Sequence, residues 1–149
     1  MRRTFDKWIG ATRLMLILSL TWMVISGEAH AQRFMDNQDG TVTDTTTNMM
    51  WSKDLLGPKT WFHATALCHS LAISGKRNWR LPSKDELVVL SQALRGEHPF
   101  GLSYRYENFW SSTLIQDWTY YPWYVSMMDS YVYTDPREAI HNALCVRDH

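Results

Sequence analysis

The sequence predicts an α+β domain behind a removable leader. Three observations carry this. Two helical patterns stand close together, one over 60–74 and one running from Ser83 to near Gly96. Short strand-like segments flank them on both sides. A charged, then apolar, then small-residue series opens the chain. Helices grouped between strands, with no βαβ alternation, are the α+β pattern.

The leader comes first. Arg2, Arg3, Lys7 and Arg13 are its basic residues, Leu14 to Ile25 its uncharged core, and Ala29-His30-Ala31 its small-x-small exit. This is the order of a secretory signal peptide, with cleavage expected after Ala31. The apolar run is shorter than the roughly 20 residues a spanning helix needs. No cysteine follows the exit, which argues against a lipid anchor. Residues 1–31 are therefore read as signal peptide and 32–149 as one domain, secreted or periplasmic, with no stable membrane insertion after cleavage.

The first elements of that domain are strands. Arg33-Phe34-Met35 and Thr41-Val42-Thr43 make a hairpin around Asn37-Gln38-Asp39-Gly40, where Gly40 is free to take positive φ. Asp44 to Asn48 turns the chain again, and Met49-Met50-Trp51 starts a third strand. Thr60 is the N-cap of the first helix, with Trp61, Ala64, Cys68, Leu71 and Ala72 on one face and Gly75 as its stop. Arg80-Leu81-Pro82 is an extended link. Ser83 and Glu86 have the capping-box spacing at the start of the second helix, which carries a Leu87, Leu90 and Leu94 stripe. An aromatic loop, His98 to Tyr106, follows. The last strand-like segments are Phe109 to Thr113, Trp123 to Met127 and Ala143 to Arg147.

Charge and cysteines narrow the class. The chain has 15 basic and 15 acidic residues. Cleavage removes four basic residues and two acidic ones (Asp6 and Glu28), leaving 11 and 13, or about −2. That balance supplies no global argument for nucleic acid or an anionic membrane, so any anion site is local. Cys68 and Cys145 are the only cysteines. Export to an oxidising compartment favours joining them, and neither lies in a Cys-x-x-Cys redox motif. Two free thiols remain the alternative.

Seven strings occur in order: Asp36-Asn-Gln-Asp-Gly-Thr-Val-Thr-Asp44, Met50-Trp51, Thr60-Trp61 with Ala64 and Cys68, Asn78-Trp79-Arg80-Leu81-Pro82-Ser83 with Glu86-Leu87, Phe109-Trp110-Ser111-Ser112-Thr113, Trp123-Tyr124-Val125 and Cys145-Val146-Arg147. Together they resemble the Lcl C-terminal domain family, which takes its name from the last domain of a collagen-like adhesin. The resemblance implies a C-type-lectin-like fold, with two helices packed on a small antiparallel sheet and the termini in neighbouring strands. It implies a cystine from the first helix to the last strand. The named adhesin binds sulfated glycosaminoglycans in attachment; the collagen-like region is absent from this sequence.

Candidate chemistry divides into five. Asp36, Asp39 and Asp44 cluster around Gly40, but with Gly40 at position six of a calcium loop, Met35 and Thr46 would fill positions one and twelve, and neither suits the ion. A tight hairpin turn explains Gly40 and Asp39 without metal. The tripeptides that calcium-dependent lectins use on sugars do not occur, so glycan binding of the usual calcium-bridged kind is not expected; no cofactor or metal site is predicted, and calcium near Asp36, Asp39 and Asp44 is left open. Lys76, Arg77, Arg80 and Lys84 form a local basic group around Trp79 that could meet sulfate or carboxylate. A solvated loop with Trp79 turned inward is the other reading. Trp118, Tyr120, Tyr121, Trp123, Tyr124, Tyr131 and Tyr133 crowd one stretch. Exposed Trp and Tyr suit sugar rings and protein partners. Trp123 is expected inside, and Trp118, Tyr120, Tyr131 and Tyr133, with Lys76 and Arg77, are the candidate ligand residues. No nucleophile, zinc or phosphate-loop motif appears, and Cys68 and Cys145 lack the local pairing of the formylglycine-generating enzyme, a distant relative of this fold. The sequence therefore predicts a non-catalytic binding module for anionic polysaccharide or a protein surface. A structural subunit of an envelope complex is the alternative. Oligomeric state is left open.

Overall fold

The computed structural model describes residues 32–95, 99–100, 107–117 and 120–149. The predicted leader 1–31, the predicted helix end near Gly96, most of the predicted His98–Tyr106 loop and Trp118 lie outside the described residues. What is described is an α+β unit.

Among the described residues, two sheets form. The first has the order β1 (Phe34–Asp36), β2 (Thr41–Asp44), β3 (Met49–Ser52), β9 (Val146–Asp148), all antiparallel. The second runs β4 (Pro58–Lys59), β8 (His141–Asn142), β5 (Asn108–Leu114), β6 (Pro122–Ser126), β7 (Val132–Thr134), antiparallel except for the β5–β8 pair. The expectation of one small sheet is thus corrected to two. The first and last strands are also not neighbours. They lie at opposite edges of the first sheet, because the β1–β2–β3 meander fills the space between them.

The turns explain the meander. Gln38 and Gly40 take φ of 58° and 86°, and Asn37 closes the loop by donating from its backbone to the Thr41 carbonyl at 3.0 Å. The register then aligns Val42, Trp51 and Val146 in one cross-strand row. That row is buried against the Leu87, Leu90 and Leu94 face of α2 (Lys84–Ala93), together with Phe34, Phe109 and Val125. Each buried leucine of this stripe contributes about 1.5–3 kcal/mol. A second core lies around α1 (Trp61–Ser70), where Ala64, Cys68, Trp79, Leu81, Trp110 and Cys145 meet.

The first helix is shorter than its pattern. It stops at Ser70, where Leu71 turns extended with ψ 137°. Gly75 is not its stop. Ser74 and Gly75, at φ 48° and 76°, form a tight turn that brings Ile73 and Lys76 into mutual backbone hydrogen bonds. Two successive positive φ values match a primed hairpin turn. This places Ala72 at the surface rather than on the buried face.

The Trp79-Arg80-Leu81-Pro82 string is scaffold. Trp79 is buried and its indole donates to the Lys76 carbonyl at 2.9 Å. Arg80 exchanges two 2.9 Å backbone bonds with Val146 and forks onto Glu86 at 2.8 and 2.7 Å. Pro82 accepts from the Ser112 backbone at 2.7 Å. Ser83 and Glu86 form the predicted capping box. Cys68 and Cys145 are joined, with Cα atoms 5.5 Å apart and both residues fully buried. Cys145 immediately precedes the last strand instead of lying in it: Val146 to Asp148 are in register with β3, and the Cys145 carbonyl accepts from the Ser52 backbone at 2.9 Å.

Candidate functional site

The second sheet presents a ladder of rings. Tyr124 on β6 and Tyr133 on β7 are directly paired, so their side chains leave the same face. Their rings stack at 5.5 Å and 27°. His141 on β8 stacks on Tyr124 at 4.1 Å and 26°, and Trp110 on β5 meets His141 edge-on at 4.4 Å. Trp110 is buried, and its indole donates to the Lys59 carbonyl at 2.8 Å. The ladder is therefore anchored in the core at Trp110 and reaches solvent at Tyr133, which is 45% exposed. Tyr131, 64% exposed, touches Tyr133 edge-on at 6.5 Å.

Charges border both ends of this surface. Arg95, just beyond α2, donates to the Asp129 carbonyl and to Ser130 Oγ at 3.3 and 3.2 Å, on the turn that leads into Tyr131. The same turn is closed by Asp129, whose carboxylate accepts from the Tyr131 backbone and is held below its usual range by that bond. Around Tyr120, Arg137 lies over the rings of Trp61 and Phe62 at 4.8 and 5.0 Å. Tyr120 is half exposed, bonds Glu138 through its hydroxyl, and is raised above the ordinary phenol value by that bond.

His141 and Tyr124 are the titratable side chains in the middle of the ladder. His141 Nε2 is 2.8 Å from Asp135 Oδ2. A carboxylate only accepts, so Nε2 carries the proton and donates. Burial pushes the imidazole below its usual value, against the opposing pull of Asp135. Burial likewise raises Tyr124.

The predicted ligand residues separate into two places. Tyr120, Tyr131 and Tyr133 are exposed on the second-sheet side. Trp118 lies outside the described residues. Trp123 is half-buried rather than inside. It has the core-facing phase of Val125 and Met127, but it sits at the start of β6 beside the irregular stretch of β5 between Trp110 and Leu114. Lys76 and Arg77 stand by the first sheet. Lys76 is tied to Asp39 at 2.6 Å, and the Arg77 carbonyl accepts from Arg147. No hydrogen bond, ion pair or ring contact among the described residues joins them to the tyrosines. The basic group is thus dispersed by its own pairs: Arg80 clamps Glu86, and Trp79 is turned inward. Arg77 alone of the four is exposed without an ion pair among the described residues.

The three turn aspartates also have separate structural partners. Asp36 pairs with Lys53, Asp39 with Lys76 and Thr41, and Asp44 with Arg33 at 2.9 and 2.8 Å. Among the described residues no group of three His, Cys, Asp or Glu side chains is placed to hold a metal. Sequence reading missed Arg95, Arg137 and His141. Arg95 and Arg137 are separated from the tyrosines in sequence or sit in an irregular segment, and only the fold brings Arg95 onto the turn before Tyr131 and Arg137 over the rings of Trp61 and Phe62.

The family model of the Lcl C-terminal domain matches residues 40–147. The chain belongs to that family. No curated protein matches the sequence.

Proposed function

We propose that this is an exported, non-catalytic, C-type-lectin-like binding module, released by cleavage after Ala31, whose ligand surface is the tyrosine platform Tyr131–Tyr133 with Tyr120 beyond it. The observation that carries the reading is the ring ladder. Tyr133 is held from behind by Tyr124, His141 and Trp110, so it offers a ring face at little entropic cost. A braced, exposed aromatic suits the apolar face of a sugar ring. Arg95 beside Tyr131 and Arg137 near Tyr120 supply cations for carboxylate or sulfate groups, so an anionic polysaccharide is the favoured ligand. Lys76 and Arg77 belong to a different part of the surface.

The test is an array of sulfated, acidic and neutral glycans, probed with calcium and with chelator. Calcium-independent binding to the anionic members, lost in Tyr131→Ala/Tyr133→Ala, is expected. Silence across the array would overturn the polysaccharide reading in favour of the assembly subunit, for which a stable partner chain in envelope pull-downs is the signature.

A further inference from the structure

We propose that His141 is a positioning residue that makes the tyrosine platform sensitive to acid. Neutral His141 braces Tyr124 and hence Tyr133, and its protonation releases them. The inference rests on the platform reading above for its consequence in binding, but not for the motion itself.

The geometry is that of an enclosed ring with one polar outlet. His141 has only 11% of its side chain exposed. One of its faces is covered by Tyr124, and Trp110 meets it in a T-shaped contact. The polar contact described for its ring is Nε2 to Asp135. Among the described residues, the charged and titratable groups around it come from strands β4, β6 and β7, helix α1 and the segments before β5 and β8. Asp135 comes from the segment before β8, Tyr124 from β6 and Tyr133 from β7. Lys59 is its partner in the β4 register. From α1, His63 lines the same shallow hollow as Lys59 and Ile140, and Glu107, before β5, holds Asn142 at 2.6 Å. Asp135 is the only one whose charge acts on His141 to favour the proton, and burial opposes it more strongly.

A proton added at Nδ1 would need a partner or water, and no described contact supplies one. The charged ring gains by turning toward solvent, and turning breaks the stack on Tyr124. Tyr133 rests on Tyr124, so the exposed end of the ladder loses its support. The sign follows: the braced state belongs to neutral pH, and it is lost as pH falls below the ordinary histidine value near 6.5. By reciprocity, a ligand that needs the braced platform lowers the His141 midpoint, and its affinity falls with acid by the same factor.

The experiment is an NMR titration of the purified protein from pH 8 to 5, following the His141 ring and the ring protons of Tyr124 and Tyr133. Binding of a heparin hexasaccharide is measured alongside. The tyrosine signals should move with the His141 midpoint, which lies below about 6.5. Heparin affinity should fall on the order of threefold or more between pH 7.5 and 5.0. His141→Phe keeps a ring in place without a proton and should abolish both responses. Asp135→Asn keeps an acceptor, removes the charge and should move the midpoint lower, which keeps the test decisive if His141→Phe folds poorly. The heparin response is read as the difference between wild type and His141→Phe, which isolates the part carried by His141. Tyrosine rings that ignore the His141 titration, or that still respond in His141→Phe, overturn the proposal. Heparin silence at every pH with the rings still tracking His141 overturns the platform's ligand and leaves the coupling standing.

Discussion

Cutting the cystine tests how the two halves of the fold are held. Cys68 and Cys145 are 77 positions apart, so their bond restricts most of the domain's unfolded ensemble. On the chain-entropy treatment a loop of that size is worth about 4.5 kcal/mol. Both residues are fully buried in the core around α1, beside Trp79 and Trp110. Cys68→Ala/Cys145→Ala therefore removes the constraint and also some packing. A domain of this size has roughly 5–15 kcal/mol in total. The double variant should lose about 4–5 kcal/mol, and its melting temperature should drop by about 15–20 °C. Urea unfolding of both proteins, followed by tryptophan fluorescence, measures this, and thiol counting in denaturant should find none in the wild type. A loss below about 1 kcal/mol with an unchanged urea slope would refute the reasoning, since it would mean the unfolded chain gains almost nothing from release.

Two further changes address the frame. Glu86 accepts both Arg80 nitrogens and caps the Ser83 backbone, and it is held below its usual range although burial pushes the other way. Its stabilisation is present above the unfolded carboxyl value near 4.5 and is lost as pH falls through the lower folded value. Glu86→Gln should cost about 1–2 kcal/mol at pH 7 and flatten the acid limb of the stability curve, as read by urea midpoints from pH 7 to 3; an unchanged limb would count against the clamp. Gly40→Ala places a Cβ 3.1 Å from Ile73 Cγ2 at a φ of +86°, so a loss of about 1–2 kcal/mol in thermal unfolding is expected, and a neutral result would mean the turn relaxes freely.

Local rules made much of the frame readable. The capping box, the Leu87-Leu90-Leu94 stripe, the first hairpin and the third strand depend on neighbours within a few residues. The pairing of Cys68 with Cys145 was legible because only two cysteines exist. What failed was set by tertiary contacts. The first helix pattern runs to Ser74, yet Ser74 and Gly75 form a turn whose Ser74 hydroxyl donates to the Asp39 carbonyl and whose Lys76 pairs with its carboxylate. Those contacts tie the turn to the first hairpin, and no helical periodicity can report them. The basic group looked like a site because spacing along the chain says nothing of Asp39 or Glu86 arriving from elsewhere to neutralise it. The aromatic stretch was recognisable by composition, but the ladder needs the registers Tyr124↔Tyr133 and Trp110↔Tyr124, and His141 from another strand.

The platform is tested most directly by titrating the isotope-labelled protein with a heparin hexasaccharide and mapping which side chains respond. Tyr131, Tyr133 and the Arg95 guanidinium should shift most, and Tyr131→Ala/Tyr133→Ala should weaken binding by about tenfold or more. Shifts centred on Arg77 and Lys76, with affinity unchanged in the double variant, would contradict it.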